Sequence, residues 1–119
     1  MEAEKESLAD ANLSEGLLRG HTDTIVLGIL MQSDAYGFEI YNRIRKRTEE
    51  RYELKEATLY SSYKRLEADG CISSYWGDET LGARRKYYQI CEKGKQTFWQ
   101  NVRDWNFTKT IIDGLLTIE

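Results

Sequence analysis

Between residues 57 and 65 the sequence ATLYSSYKR sets the hydroxyls of Thr58, Tyr60 and Ser61 just ahead of the cations of Lys64 and Arg65. Further along, ARRKYYQI places Arg84, Arg85 and Lys86 directly before Tyr87 and Tyr88. Hydroxyls both donate and accept hydrogen bonds, and fixed cations neutralise phosphates. Together the two stretches have the chemistry of a surface that holds a polyanion and reads polar edges on it. Catalytic chemistry lacks its parts. Glu49–Glu50 and Asp78–Glu79 are adjacent pairs on exposed segments, not facing carboxylates. His21 is the single histidine and has no nucleophile near it in sequence. No glycine loop of the phosphate-cradling kind is present, so the chain does not read as an enzyme. With that one histidine and two cysteines there is no zinc set either.

The elements that would carry these residues follow from periodicity. ATLYSSYKRLEADG puts Leu59, Tyr63 and Leu66 at i, i+4 and i+7, a helix stripe facing the core. Gly70 suits the left-handed position that ends a helix. Upstream, HTDTIVLGILMQ (21–32) carries Ile25, Leu27, Ile29, Leu30 and Met31 on a broad apolar face, as a mostly buried helix does. SDAYG interrupts it, and Ser33 or Asp34 can cap a helix over about 36–49. That helix has Tyr36, Ile40 and Ile44 on one side and Arg43, Arg45, Lys46 and Arg47 on the other. The basic side, read alone, is a solvated face. Leu8, Leu13, Leu17 and Leu18 fit a short helix ending near Gly20.

CISSYW and RRKYYQIC flank the turn-rich GDETLGA and read as one hairpin. Centred on the 77–84 loop, it brings Cys71 and Cys91 together at its base, as two reduced thiols for which a redox bridge is geometrically conceivable. A last helix runs from about Glu92 to Leu116, roughly 37 Å long. Phe98, Val102, Trp105, Ile112 and Leu115 form one stripe on it, and Trp99, Phe107 and Ile111 a second apolar edge. Two edges on so small a body call for a second surface, and a second copy of the chain is the simple candidate.

The 119 residues amount to one domain with a small core. The net charge of −3 is unevenly spread. Glu2, Glu4, Glu6, Asp10 and Glu15 stand against Lys5 in the first fifteen residues, while 43–51 and 84–86 are basic. The N-terminus lacks the apolar core of a secretory signal, and no apolar run is long enough to span a membrane, so a cytoplasmic location is the expectation. The fold class is mainly α with a small β-hairpin. Three helices followed by a hairpin is the order of a winged helix-turn-helix, here with a long C-terminal dimerisation helix. The divisions are an acidic arm over 1–16, the winged domain over 17–91 and the dimerisation helix over 92–119. A helix that enters the major groove meets a distinct donor and acceptor pattern, and a basic hairpin beside it reaches neighbouring phosphates.

RGHTDTIVLGILMQSDAYGFEI, EATLYSSYKRLEADG and RRKYY together resemble the PadR family of transcriptional regulators, over about Leu17 to Leu116. KRLEADGCISSYWGDE is similar to a lactococcal multidrug-resistance member of that family. The resemblance implies a homodimer on double-stranded, inverted-repeat operator DNA, and repression of a transporter gene or of its own gene. On the matching positions it implies DNA contacts by Tyr36, Lys55, Ala57, Thr58, Tyr60, Ser61, Lys64, Arg65, Arg84, Arg85, Lys86 and Tyr87. It also implies a planar aromatic effector between the two copies of Trp105. Thr24, Leu27, Gly28, Met31, Phe98, Trp99, Asn101, Val102 and Lys109 are the implied lining. Lys109, one turn beyond Trp105, disfavours a cationic ligand there. No cofactor is implied. A winged helix used only for protein–protein contact is the alternative reading.

Overall fold

The computed structural model describes residues 15–18, 20–78, 82 and 84–118. In chain order these form α1 (Glu15–Leu18), α2 (Thr22–Gln32), β1 (Ala35–Tyr36), α3 (Gly37–Arg47), α4 (Glu56–Ala68), β2 (Ile72–Trp76), β3 (Lys86–Ile90) and α5 (Glu92–Leu116). Leu8 and Leu13 of the expected first helix, and nearly all of the acidic arm, lie outside the described residues. No described helix is long and apolar enough to cross a membrane.

The core gathers around α2, whose Val26, Leu27, Ile29 and Leu30 are buried. Ile40 and Ile44 of α3 close one side. Leu59, Tyr63 and Leu66 of α4 close another, as the i, i+4, i+7 spacing requires. Gly70 has φ +75°, and the amide of Cys71 donates to the carbonyl of Leu66, so the helix stops where the sequence places its stop.

The expected hairpin is present in the expected register, with Ile72 opposite Ile90 and Tyr75 opposite Tyr87. It is one part of a three-stranded antiparallel sheet, order β1-β3-β2, in which Ala35 and Tyr36 pair with Tyr88 and Tyr87. This strand corrects two expectations. SDAYG is not merely an interruption, and neither Ser33 nor Asp34 caps α3, because β1 intervenes and Tyr36 takes the N-cap position. A two-residue strand has no periodicity to read; it forms because β3 offers a free edge. Asp34 instead accepts a 2.6 Å bond from the Tyr75 hydroxyl, and Ser33 Oγ accepts from Arg43 at 2.9 Å.

Cys71 and Cys91 meet at the base of the sheet, where the Cys91 amide donates to the Cys71 carbonyl at 2.9 Å. Both are free thiols, Cys71 buried and 3.8 Å from the Thr97 hydroxyl. Here α5 crosses the strand end so closely that Gly94 has no room for a side chain. A Cβ there would run into the Cys71 carbonyl and come within 2.8 Å of Ile90. Gly94→Ala should therefore destabilise the protein by about 1–3 kcal/mol in chemical denaturation, because the obstruction is backbone that cannot rotate away.

Asp23 of α2 reaches across to α4. It accepts a 2.6 Å bond from the buried Ser62 hydroxyl and bonds from Arg65 Nη2 at 2.7 Å and Nε at 3.2 Å. Burial pulls the Asp23 carboxyl upward, but the Arg65 and Ser62 hydrogen bonds and the Arg65 charge outweigh it and hold the pKa below the ordinary aspartate value. A depressed carboxylate pKa contributes stability that is present above the unfolded value and lost as pH falls through the folded one. Asp23→Asn should thus lower stability at neutral pH, and the gap to wild type should narrow as the pH falls below about 4. Denaturation curves across that range check it; a gap independent of pH would mean that the Asp23 charge is not the linked group.

Candidate nucleic-acid interface

On a helix of 3.6 residues per turn, the side of α4 opposite the core carries Ala57, Ser61 and Lys64. All three are exposed, as are Lys55 at the N-cap, Thr58 on one flank and Tyr60 on the other. The ammonium of Lys64 lies over the Tyr60 ring, 5.3 Å from its centroid. Arg65 is not brought to this side. Its guanidinium turns toward α2 and is held in the ion pair with Asp23, so it fixes the roll of α4 rather than extending the open face.

The sheet stands beside that helix. Its strands alternate faces, so Tyr88 packs inward on Tyr63, with ring centroids 4.4 Å apart, while Tyr87 points outward between Tyr75 and Tyr36. Tyr75 and Tyr87 are stacked at 5.6 Å, and Tyr36 meets Tyr87 edge-on at 5.4 Å. The hydrogen bond to Asp34 pushes the Tyr75 phenol up to about 12, so it stays a donor at any physiological pH. The wing cations rest on these rings: Arg85 over Tyr36 at 4.7 Å and Arg84 over Trp76 at 5.9 Å. Arg84 also donates to the Gly77 carbonyl at 3.3 Å. Lys86 lies on the inward side, 4.0 Å from Glu67 and over Tyr88. All three cations remain exposed.

The helix face and the wing cations thus come together on one side of the molecule, with hydroxyls central and positive charge around them. On the basic side of α3, Arg43 and Arg45 are already engaged. Arg43 donates to Ser33 and to the Ile29 carbonyl, and Arg45 is ion-paired with Glu50 and within 3.6 Å of Glu53.

The second set of sequence-expected residues gathers where α2 meets α5. Asn101 donates to the Thr24 hydroxyl at 2.8 Å, and the Phe98 ring presses on Gly28, 3.0 Å from where a Cβ would sit. Leu27 is buried in the core and reaches no open surface. Met31 and Val102 are half-buried, whereas Trp99, Trp105 and Lys109 are exposed. The Trp105 ring takes His21 edge-on, with centroids 4.9 Å apart. Sequence reasoning did not connect His21 to this place, because only the fold sets the two 84 positions apart side by side. Beyond Trp105 the apolar residues of α5, among them Phe107, Ile111, Ile112 and Leu115, are all exposed. Among the described residues no group of three His, Cys, Asp or Glu could hold a metal ion.

Comparison with known proteins places this arrangement. A transcriptional regulator from Clostridium thermocellum is 43% identical, with a TM-score of 0.81 over 88% of this chain and 99% of that one. A PadR family transcription regulator from Clostridium difficile is 36% identical, with a TM-score of 0.73 over 82% of this chain and all of its own. An uncharacterized protein X of Lysinibacillus sphaericus is 42% identical over 82% of this chain and 89% of its own length. The fold is also that of Bacillus subtilis PadR, solved in complex with operator DNA, at 20% identity and a TM-score of 0.58; this chain matches 48% of that longer one. The model of the PadR-like family of transcriptional regulators matches residues 26–100, and the chain belongs to that family.

Proposed function

We propose that this protein binds double-stranded DNA as a homodimer and represses transcription. The observation that carries this reading is the open α4 face of Ala57, Ser61 and Lys64 set beside Arg84 and Arg85, which rest on the Trp76 and Tyr36 rings. In this reading α4 lies in the major groove, where Thr58, Tyr60 and Ser61 face base edges, and Lys55 and Lys64 meet phosphates. The wing contributes Arg84, Arg85 and Lys86, and Tyr36 and Tyr87 support them from beneath. Resting a guanidinium on a ring limits its motion, so less freedom is lost when it meets a phosphate.

The dimer rests on α5. Trp99, Phe107, Ile111, Ile112 and Leu115 leave a long exposed apolar surface that a second α5 would cover. Two copies of α4 would then meet half-sites about 34 Å apart on an inverted repeat. The surface around Trp105 is the proposed effector site: a planar aromatic molecule stacks between the two copies of that ring and shifts the spacing of the α4 pair. His21 already gives Trp105 an edge-on neighbour, which fixes the ring plane. Lys109, one turn further on the same helix, favours neutral or anionic ligands over cationic ones. Release of a transporter gene or of the protein's own gene is the regulatory outcome that this site would serve.

Three variants test the DNA face. Arg85→Ala with Lys86→Ala should weaken binding to every duplex and reduce the salt slope by about one per lost phosphate contact. Ser61→Ala should change sequence preference with the slope kept. Arg65→Ala should lower stability through its lost Asp23 pair while leaving the slope unchanged. An unaltered affinity and slope for the Arg85/Lys86 double variant would overturn the wing assignment, and no salt-dependent DNA binding by the wild type would favour a protein-interaction module.

The effector site is checked by tryptophan fluorescence with a matched pair of planar dyes, one cationic and one anionic. The anionic dye should quench more strongly, the preference should shrink in Lys109→Ala, and Trp105→Ala should abolish the response. Tighter binding of the cationic dye that Lys109→Ala leaves unchanged would remove Lys109 from the selectivity.

A further inference from the structure

The two cysteines have no part in the DNA-facing surface, yet the fold sets them against each other. β2 and β3 pair Ile72 with Ile90, and one step further in the same register Cys71 stands opposite Cys91. The Cys91 amide donates to the Cys71 carbonyl at 2.9 Å, which carries the ladder on to that position. Residues directly opposite in an antiparallel pair project their side chains to one face. Where they exchange backbone bonds, their α-carbons stand about 5.5 Å apart, inside the roughly 4.4–6.8 Å over which disulfides close. Here half of that exchange is made, because the Cys71 amide donates back to the Leu66 carbonyl. One bond in place of two leaves the pair more room to adjust than a pair in mid-strand has. Both thiols are free.

The two sulfurs differ in access. Cys71 is 3% exposed, and its Sγ lies 3.8 Å from the Thr97 hydroxyl of α5. Cys91 is half-buried and takes the N-cap position of α5. An accessible sulfur that meets an oxidant, beside a sheltered one that resolves the product, is the arrangement that reversible cysteine chemistry requires.

The position also gives leverage. Cys71 follows the end of α4 after Asp69 and Gly70, and Cys91 directly precedes α5. A bond between them joins the helix that carries Ser61 and Lys64 to the long C-terminal helix. Gly94 already abuts the Cys71 carbonyl, so α5 cannot slide toward β2 as the sulfurs draw together. The side chains must turn instead, which takes Cys71 away from Thr97, and the angle between α4 and α5 absorbs the rest.

We propose that Cys71 and Cys91 form a reversible intramolecular disulfide by exchange with a low-molecular-weight disulfide such as oxidised glutathione. The Cys91 thiolate attacks one sulfur of the small disulfide, which forms a mixed disulfide and releases one small thiol. The Cys71 thiolate then attacks Cys91 Sγ and expels the second. Both protein thiols give up their protons, the protein is oxidised by two electrons, and the small disulfide is reduced to two thiols. The bridge changes how α4 is set against α5 and so lowers DNA affinity. That consequence alone rests on the DNA-binding reading; formation of the bridge does not.

The folded full chain is incubated with oxidised glutathione at neutral pH, quenched with acid and weighed by mass spectrometry. The wild type should become lighter by two hydrogens, and a tryptic digest should contain residues 66–84 joined to residues 87–93. Dithiothreitol should reverse both. Cys71→Ser should stall with a single glutathione on Cys91, since the resolving sulfur is gone. Cys91→Ser should take up none, since Cys71 is sheltered. The bridged wild type should bind a duplex about ten-fold more weakly than the reduced protein, a coupling of ordinary size. Dithiothreitol should restore the affinity, and Cys91→Ser should not respond to the oxidant.

The wild-type measurement needs no variant, so a serine protein that fails to fold leaves it standing. Thiols that stay free at every glutathione disulfide concentration would overturn the bridge. So would two glutathiones on the wild type without a linked peptide, or links formed only between separate chains. Uptake by Cys91→Ser and not by Cys71→Ser would overturn the order of attack. Equal duplex affinity of the bridged and reduced proteins would overturn the regulatory consequence. A bridge that forms in a protein with no duplex binding even when reduced would uphold the disulfide and sink the DNA-binding reading instead.

Discussion

The carboxylate of Asp23 governs how α4 is presented. One oxygen accepts from both Ser62 and Arg65 and the other from Arg65 Nε, so two residues on adjacent turns of α4 are tied to a single point on α2. A helix packed by Leu59 and Leu66 alone has apolar contacts that tolerate some rotation. A charged, partly buried, three-bond connection does not, since rolling α4 would leave Ser62 without a partner in the core. With the roll fixed, Ala57, Ser61 and Lys64 necessarily face away from the body. The cation that looks most naturally placed for a ligand, Arg65, is the one that holds the others in position.

A second constraint orders the wing. The sheet is small, and β1 contributes just two residues. Its stiffness comes from rings rather than ladder length: Tyr88 on Tyr63 inside, and Tyr75, Tyr87 and Tyr36 outside, closed by the Tyr75–Asp34 hydrogen bond. Cross-strand aromatic pairs of this kind stabilise a sheet that would be marginal alone. The same rings carry Arg84 and Arg85. A single aromatic framework therefore sets the wing geometry and positions its charge.

The third feature is an imbalance. Within one chain α5 is anchored at its beginning, by Gly94 against Cys71 and by Phe98 against Gly28, and then leaves the body. Gly94 is its one buried residue, and the apolar side chains beyond Trp105 are uncovered. Burial worth about 25 cal/mol per Å2 is thus left available on a helix already fixed in direction. Assembly through this surface is the proposed outcome, and it would place Trp105 and His21 close to the joint.

Much of this was legible in the residues alone. The apolar spacing of Leu59, Tyr63 and Leu66, the stop at Gly70, the register around the 77–84 loop and the span of the last helix are local patterns, and each is found as the periodicity requires. The combination of helix, wing and RRKYY also carried the family. Other features depend on residues far apart in the chain. Arg65 is turned from the open face by Asp23, 42 positions earlier, and Thr24 is joined to Asn101, 77 positions later. β1 exists only because β3 lies beside it. The Tyr63 hydroxyl, enclosed near Gly37 and Tyr88, has no hydrogen-bond partner among the described residues. Periodicity reports which side of an element is apolar, since burial repeats with the helix or strand period. Which polar atom meets which depends on the packing of several elements at once, and that was decided by the tertiary structure.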